Sequence, residues 1–481
     1  MPTAPRLSRT GPAPAPRIAH IGPGAFFRAF NAVYTHEAMA ATGDDWGIVA
    51  ISLRSTAARD QLAPQGGVYT SVTLREEGWQ SQVIGAITEV LVAPEDPEAV
   101  LNAMADPEIA IVSMTMTEKG YCHNPATGRL DLANLDIARD LEGSALPASA
   151  PGLIVEALAR RRAAETGPFT VLSCDNLPSN GRLARGVILD FARARDPELA
   201  RWIDGHVTFP STMVDRITPA TTQGDIDRLE ETEGYHDAAC VFHEAFRQWV
   251  IEDDFVAGRP DWDKAGAQFV RDVEAHETMK LRCLNGTHST LAYLGYLAGH
   301  ETIADAVADA DFAALCDTLW AEEILPTVPQ PEGEDLPTYC RALMARYRDR
   351  SLRHRTWQIA MDGSRKLPQR ILGTLRDTLT SGREAPGLCL VVAAWMRYVG
   401  GVDEAGQPID VRDPIADRLR AASDRAATPA DKVAALLAFD EVFGTDLPAD
   451  PRFRGAVTSA YETLMNLGAA GAVAAYLDRT G

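Results

Sequence analysis

The segment MKLRCLNGTHSTLAYLGYL, residues 279–297, sets a lysine, an asparagine and a histidine beside an apolar stripe of Leu284, Leu291 and Leu294. At 100° per residue an α-helix places Lys280 and His288 about 80° apart and Asn285 about 60° beyond His288, so the three share one broad face. A lysine turned toward a protein interior is costly to keep charged, and burial moves its pKa toward the range where the amine accepts a proton. The chemistry is that of a base with two polar neighbours to orient a substrate. Spacing alone favours a solvated lysine with two polar residues on a helix surface, so the choice rests on the rest of the chain.

Other segments offer matching parts. In IGPGAFFRAF, Gly22 and Gly24 supply the first two glycines of a dinucleotide-binding turn, with Ala25 and Phe26 opening the helix that follows. The third glycine is absent; Phe27 stands there. The next strand ends in SLRSTAARD, where Arg54 occupies the region usually held by an acid that binds the adenosine ribose. Arg54 and Ser55 suit a 2′-phosphate, and a solvated arginine suits the pattern as well. SCDNLPSNG puts Cys174, Asp175 and Asn176 at the carboxyl end of a strand, the edge at which open α/β sheets bind ligands. TFPSTMVDRITP ends another strand with Asp215 and Arg216. Metal chemistry finds no matching spacing: the ten histidines form no HExxH, HETIA at 300–304 lacks the second histidine, and the seven cysteines form no CxxC.

These groups need a scaffold. A chain of 481 residues with 46% hydrophobic residues should build more than one core. The excess of 67 acidic over 46 basic residues, net −21, argues against nonspecific binding to nucleic acid or anionic membranes. An anionic ligand therefore needs a local basic pocket. The apolar runs RIAHIGPG, WGIVAISL, IAIVSMTM, FTVLSCDN and VTFPSTMVDRI alternate with helical patterns, which predicts a mostly parallel, doubly wound α/β sheet. After about residue 275 apolar residues recur at spacings of three and four, and the chain reads as helical. The expected organisation is a Pro-rich flexible arm at 1–15, a dinucleotide-binding domain at 16–275 and a helical substrate domain at 276–481. Scattered cysteines and the lack of an apolar targeting segment suggest a cytoplasmic protein.

Four segments, HIGPGAFFRAFNAVYTH, TMVDRITPAT, KLRCLNGTHSTLAYLG and HRTWQIAMDGSRKLPQRIL, together resemble the long-chain mannitol dehydrogenase family, in order and spacing, from about residue 17 onward. IVSMTMTEKGYC and EAFRQWVIEDDFVAGRPDWDKAGAQFV are most similar to its fructuronate reductase branch. The resemblance implies a Rossmann-type domain followed by a helical domain, no catalytic metal, and a ketose or keto-acid reduced with NADH, NADPH being the alternative. It assigns the general base to Lys280, polarising amides to Asn176 and Asn285, and substrate orientation to His288. Asp215 and Lys366 become sugar contacts, with Arg370 beside Lys366. The polyol-specific pattern has an arginine eight residues before Lys366, where this chain has Gln358.

Overall fold

The structure, a computed structural model, describes residues 4–125 and 127–480. It divides into two compact units, Met1–Glu274 and Ala275–Gly481.

Among the described residues the first unit contains eleven strands: β1 (Pro16–Ile21), β2 (Gly47–Ser52), β3 (Tyr69–Arg75), β4 (Gly78–Ile84), β5 (Ile87–Val92), β6 (Ile111–Met114), β7 (Thr170–Ser173), β8 (Thr212–Asp215), β9 (Val241–Glu244), β10 (Gln248–Glu252) and β11 (Gln268–Val270). Its main sheet has the order β5-β2-β1-β6-β7, and every pairing is parallel. β2, β6 and β7 are buried along their whole length, as strands covered on both faces must be, so they read as unbroken apolar runs. β5 lies at the edge and leaves Glu89 exposed. From β1 the chain builds outward through β2 to β5, then returns to β6 on the other side of β1. The sheet therefore switches direction between β1 and β6, the place where doubly wound sheets open a ligand crevice.

The fifth apolar run behaves differently from the expectation. β8 pairs antiparallel with β10, which pairs parallel with β11, in a separate three-stranded sheet. Pro210 stands just before β8, and a residue without an N–H donor suits an edge or strand start better than the middle of a ladder. β4, β3 and β9 form a third sheet.

The amino-terminal segment is also more ordered than its composition suggests. Residues 1–3 lie outside the described residues, but residues 4–15 are tied to the first unit rather than loose. Leu7 N donates to His236 O at 2.9 Å and Arg9 N to Gln65 O at 3.0 Å. The Arg9 guanidinium donates to the carbonyls of Gly66, Gly85 and Ile87 at 2.6–3.1 Å. One arginine thus satisfies three carbonyls, which counts for more than the prolines around it.

All strands among the described residues belong to the first unit; the second is helical. Its core gathers around Pro386–Val399, buried along nearly its whole length, with Leu291, Leu294, Trp320 and Ile371 in the same cluster. Among the described residues no helix is long and apolar enough to cross a membrane.

Candidate active site

Lys280 begins a π-helical stretch, Lys280–Gly286, between the α-helices Glu274–Met279 and Thr287–Leu297. In a π-helix each N–H reaches the carbonyl five residues back instead of four, so each residue advances through a smaller angle than in an α-helix. Lys280 and Asn285 are five apart. The separation of about 140° that α-helical spacing gives them therefore narrows. The wider turn leaves carbonyls to be satisfied by side chains. Thr287 Oγ1 donates to Cys283 O at 2.5 Å, and Trp320 Nε1 donates to the same oxygen at 3.0 Å. The Tyr347 hydroxyl lies 2.9 Å from Leu284 O and 2.7 Å from Thr287 Oγ1. Lys280 is 7% exposed and His288 8%, so the bland reading of a solvated helix face fails. Asn285 is half-buried.

His288 sits among cations. Its ring centroid is 4.9 Å from that of Tyr347 and 5.1 Å from that of His354, the latter edge-on. Burial, then the charges of His354, Arg346, Arg370 and Lys366, hold its imidazole well below the usual histidine range. His354 is pushed down to about 4 by burial and by Arg346 and Lys366. Two neutral imidazoles can each donate one hydrogen bond and accept another. Arg370 NH1 donates to Ser289 Oγ at 3.2 Å, next to His288.

Lys366 is placed by local chemistry. Asp362 takes a left-handed conformation (φ 55°) just before the short helix Gly363–Leu367, and Asp413 accepts from Ser364 N and Oγ, both at 2.7 Å. Gly363 is required there, since a Cβ would lie 2.4 Å from Trp395 Nε1. Pro368 then opens a second π-turn, Pro368–Leu372, which carries Arg370; its ring lacks an N–H and crowds the carbonyl four residues back. Lys366 Nζ donates to Ile359 O at 3.2 Å. Burial, then Arg370, lower the Lys366 ammonium to about 8, while Asp362 and Asp413 pull it back upward. Within the second unit the charges of Lys366 and Arg370 both act on His288. The same unit adds Arg346 and His354, which the sequence reading missed. Their signal was the run RYRDRSLRHR at 346–355, strongly basic in an acidic chain.

In the first unit, Gly22 lies at the end of β1 with φ 96°, and a Cβ on it would come within 2.2 Å of Thr115 O, just past β6. Gly24 is exposed, and a Cβ there would meet nothing closer than 3.9 Å, so backbone and solvent meet without obstruction. Ala25 and Phe26 open the helix Ala25–Ala29, and the first N–H groups of a helix have no intrahelical acceptor. This cradle fits a dinucleotide pyrophosphate. The missing third glycine has a physical counterpart. Phe27 is buried and its ring stacks on His20, with centroids 3.6 Å apart and planes 11° apart. His20 is anchored by Ser113 Oγ and Thr115 Oγ1, and burial holds it neutral, near 3. An aromatic stack does the helix-to-strand packing that the third glycine serves elsewhere.

Arg54 is strongly exposed, with a 3.4 Å contact to Asp136. Asn176 lies exposed just beyond β7, and Asp215 is buried at the end of β8. Arg216 donates to Ala29 O and Glu244 O at 2.6 and 3.2 Å, a structural use. Among the described residues no group of three or more His, Cys, Asp or Glu side chains could hold a metal ion.

A parallel sheet with a glycine turn at its switch point, followed by a helical unit with a buried lysine, is the build of a dinucleotide-dependent dehydrogenase. Comparison with known proteins narrows the class. Residues 16–264 match the mannitol dehydrogenase Rossmann domain and residues 272–465 the mannitol dehydrogenase C-terminal domain. The chain is 50% identical over 463 residues to D-mannonate oxidoreductase of Escherichia coli (strain K12), covering 95% of each. It is 39% identical to a mannitol 2-dehydrogenase of Phaeosphaeria nodorum (strain SN15 / ATCC MYA-4574 / FGSC 10173), covering 95% of this chain and 81% of that one. The solved Pseudomonas fluorescens mannitol 2-dehydrogenase, a ternary complex with NAD and D-mannitol, matches with a TM-score of 0.82 at 38% identity, covering 98% of this chain and 95% of that chain. The chain belongs to the mannitol dehydrogenase family. It is an oxidoreductase of the secondary-alcohol dehydrogenase class, acting on a sugar acid or polyol.

Proposed function

We propose that this protein interconverts D-fructuronate and D-mannonate, using NAD, with Lys280 as the acid/base. The observation that carries the reading is the set of cationic side chains Lys366, Arg370 and Arg346 near the neutral imidazoles of His288 and His354, in a chain of net charge −21. A protein that is acidic overall has little use for such a pocket unless its ligand is an anion. The 50% identity to a D-mannonate oxidoreductase supports the same substrate class.

The roles follow from the chemistry of a secondary alcohol. Oxidation removes the carbinol hydrogen as hydride and the hydroxyl hydrogen as a proton, leaving a carbonyl. When bound, a nicotinamide dinucleotide supplies the hydride acceptor, and the Gly22–Phe26 turn would hold its pyrophosphate. Lys280 takes the hydroxyl proton and returns it in the reductive direction. Asn285 donates to the oxygen as its charge grows, His288 orients the sugar, and Lys366 and Arg370 hold the carboxylate; Asn176 and Asp215 keep the polarising and sugar-contact roles that the family resemblance implies. The seven unpaired cysteines fit a reducing, cytoplasmic setting.

A steady-state screen of D-fructuronate, D-tagaturonate and D-fructose with NADH and NADPH tests the proposal. D-fructuronate with NADH should give the largest kcat/KM; a lead for D-tagaturonate or D-fructose reassigns the enzyme to the corresponding reductase or to mannitol 2-dehydrogenase.

The cofactor preference has its own expected outcome. Arg54 is a single exposed arginine already facing a carboxylate, too little to hold a 2′-phosphate, so NADH should outperform NADPH. Arg54→Asp would lower NADPH use selectively only if Arg54 held the extra phosphate; equal loss of both would show that Arg54 does not read the ribose end.

Substrate affinity should also depend on pH. Lys366 is charged below about 8 and loses its charge as pH rises through that value. Attraction for a carboxylate is therefore fully present on the acid side and fades on the alkaline side. KM for D-fructuronate, measured on both sides of this midpoint, should rise with pH while KM for neutral D-fructose does not follow it. Parallel curves for the two ketoses would remove Lys366 from carboxylate binding.

A further inference from the structure

Asp175 lies just past β7, 9% exposed, and its carboxylate accepts three hydrogen bonds from a loop that follows a different strand. Oδ1 accepts from Thr117 N at 3.0 Å; Oδ2 accepts from Met116 N at 3.1 Å and from the Tyr121 hydroxyl at 2.7 Å. Tyr121 also meets Ser173 Oγ, at the end of β7. The loop held in this way follows β6 and is strained: Thr117 has φ 67° and ψ 164°, a region populated almost only by glycine. A β-branched residue stays in such a conformation only if its surroundings impose it. Here the two adjacent N–H groups converge on one buried carboxylate, a charge-assisted arrangement strong enough to do so.

The same loop borders the nucleotide turn. Thr115 Oγ1 donates to Gly22 O at 2.8 Å, and Thr115 O occupies the space a Cβ on Gly22 would need. On its other side, the Asp175 carbonyl accepts from Asn180 Nδ2 at 2.9 Å, and Asn180 in turn accepts from Thr212 N at 2.9 Å. The residue after Asp175 is Asn176. One buried carboxylate therefore joins the ends of β6 and β7 at the switch-point edge of the sheet.

We infer that Asp175 is a positioning residue for the dinucleotide: its carboxylate holds Thr117 in a glycine-like conformation and so sets the loop against the Gly22 turn and fixes the backbone that presents Asn176. This rests on the dinucleotide reading of the first unit. Burial raises the Asp175 carboxyl above its usual range, and its three donors pull it part of the way back. Asparagine in its place offers one acceptor and turns an N–H₂ toward backbone N–H groups.

The test is NADH binding to the full chain, measured by quenching of protein fluorescence, together with amide hydrogen exchange at Met116 and Thr117. Asp175→Asn should weaken NADH binding by about one to two decades, the effect of losing charged hydrogen bonds, and should speed exchange at both amides. Thr117→Gly adopts the same backbone without strain, so the double variant Asp175→Asn/Thr117→Gly should regain much of the lost affinity. A carboxylate that merely stabilises the fold would show no such rescue. Unchanged NADH affinity in Asp175→Asn, or no recovery in the double variant, overturns the inference. If Asp175→Asn does not fold, Tyr121→Phe removes one donor at constant shape and should weaken NADH several-fold; wild-type affinity there also overturns it. A wild-type chain that binds neither NADH nor NADPH would instead refute the dinucleotide reading itself.

Discussion

Replacing Lys280 with alanine should lower turnover in both directions roughly 100- to 10,000-fold, the range spanned by general acid–base groups. NADH affinity should change far less, because the proposed role of the amine is proton transfer and the proposed dinucleotide site lies in the first unit. Loss confined to kcat and kcat/KM together marks an interaction made in the transition state. Lys280 is buried, so alanine also removes packing; Lys280→Met keeps the stem and loses only the amine. The two variants should fall together. His288→Ala should be milder, since the role proposed for its neutral imidazole is to orient the sugar and not to carry the proton. Near-normal turnover in Lys280→Met would remove this lysine from the mechanism.

The second large effect is one of selectivity. Lys366→Met should reduce kcat/KM for D-fructuronate by about one to two decades, the equivalent of a charged hydrogen bond worth roughly 1.5–3 kcal/mol. A surface cation would contribute no more than about 1 kcal/mol and would be screened by salt. Lys366 is half-buried and lies close to Arg370, so the larger figure applies. D-Fructose has a neutral group where D-fructuronate has its carboxylate, and its kcat/KM should fall much less. Equal losses for both sugars would mean that Lys366 supports the pocket without reading the charge.

The sequence showed these sites unevenly, for physical reasons. β1, β2, β6 and β7 were legible because strands covered on both faces must be apolar throughout. β8 had the same texture, yet it lies in another sheet, since local pattern reports burial and not the partner. Lys280, Asn285 and His288 were legible as residue types, but their geometry was not: a π-turn has no compositional signature and depends on Thr287, Trp320 and Tyr347 satisfying displaced carbonyls. Phe27 looked like a defect in a glycine fingerprint; its explanation is the stack on His20, a contact made between the strand and the helix that follows it. Arg346 and His354 belong to a basic run whose local pattern does not show that tertiary packing sets the His354 ring against His288 and lets the charge of Arg346 act on it. Asp175 read as one residue of a strand-end turn, because its partners at Met116, Thr117 and Tyr121 lie more than fifty residues away.

The central claim, a lysine-based dehydrogenase selective for a sugar acid, is tested most directly by oxidising D-mannonate and D-mannitol side by side with NAD at saturating cofactor. The cationic cluster predicts a kcat/KM for D-mannonate at least about tenfold higher, the least that one charged hydrogen bond to the carboxylate should contribute. Equal values, or a preference for D-mannitol, would contradict it.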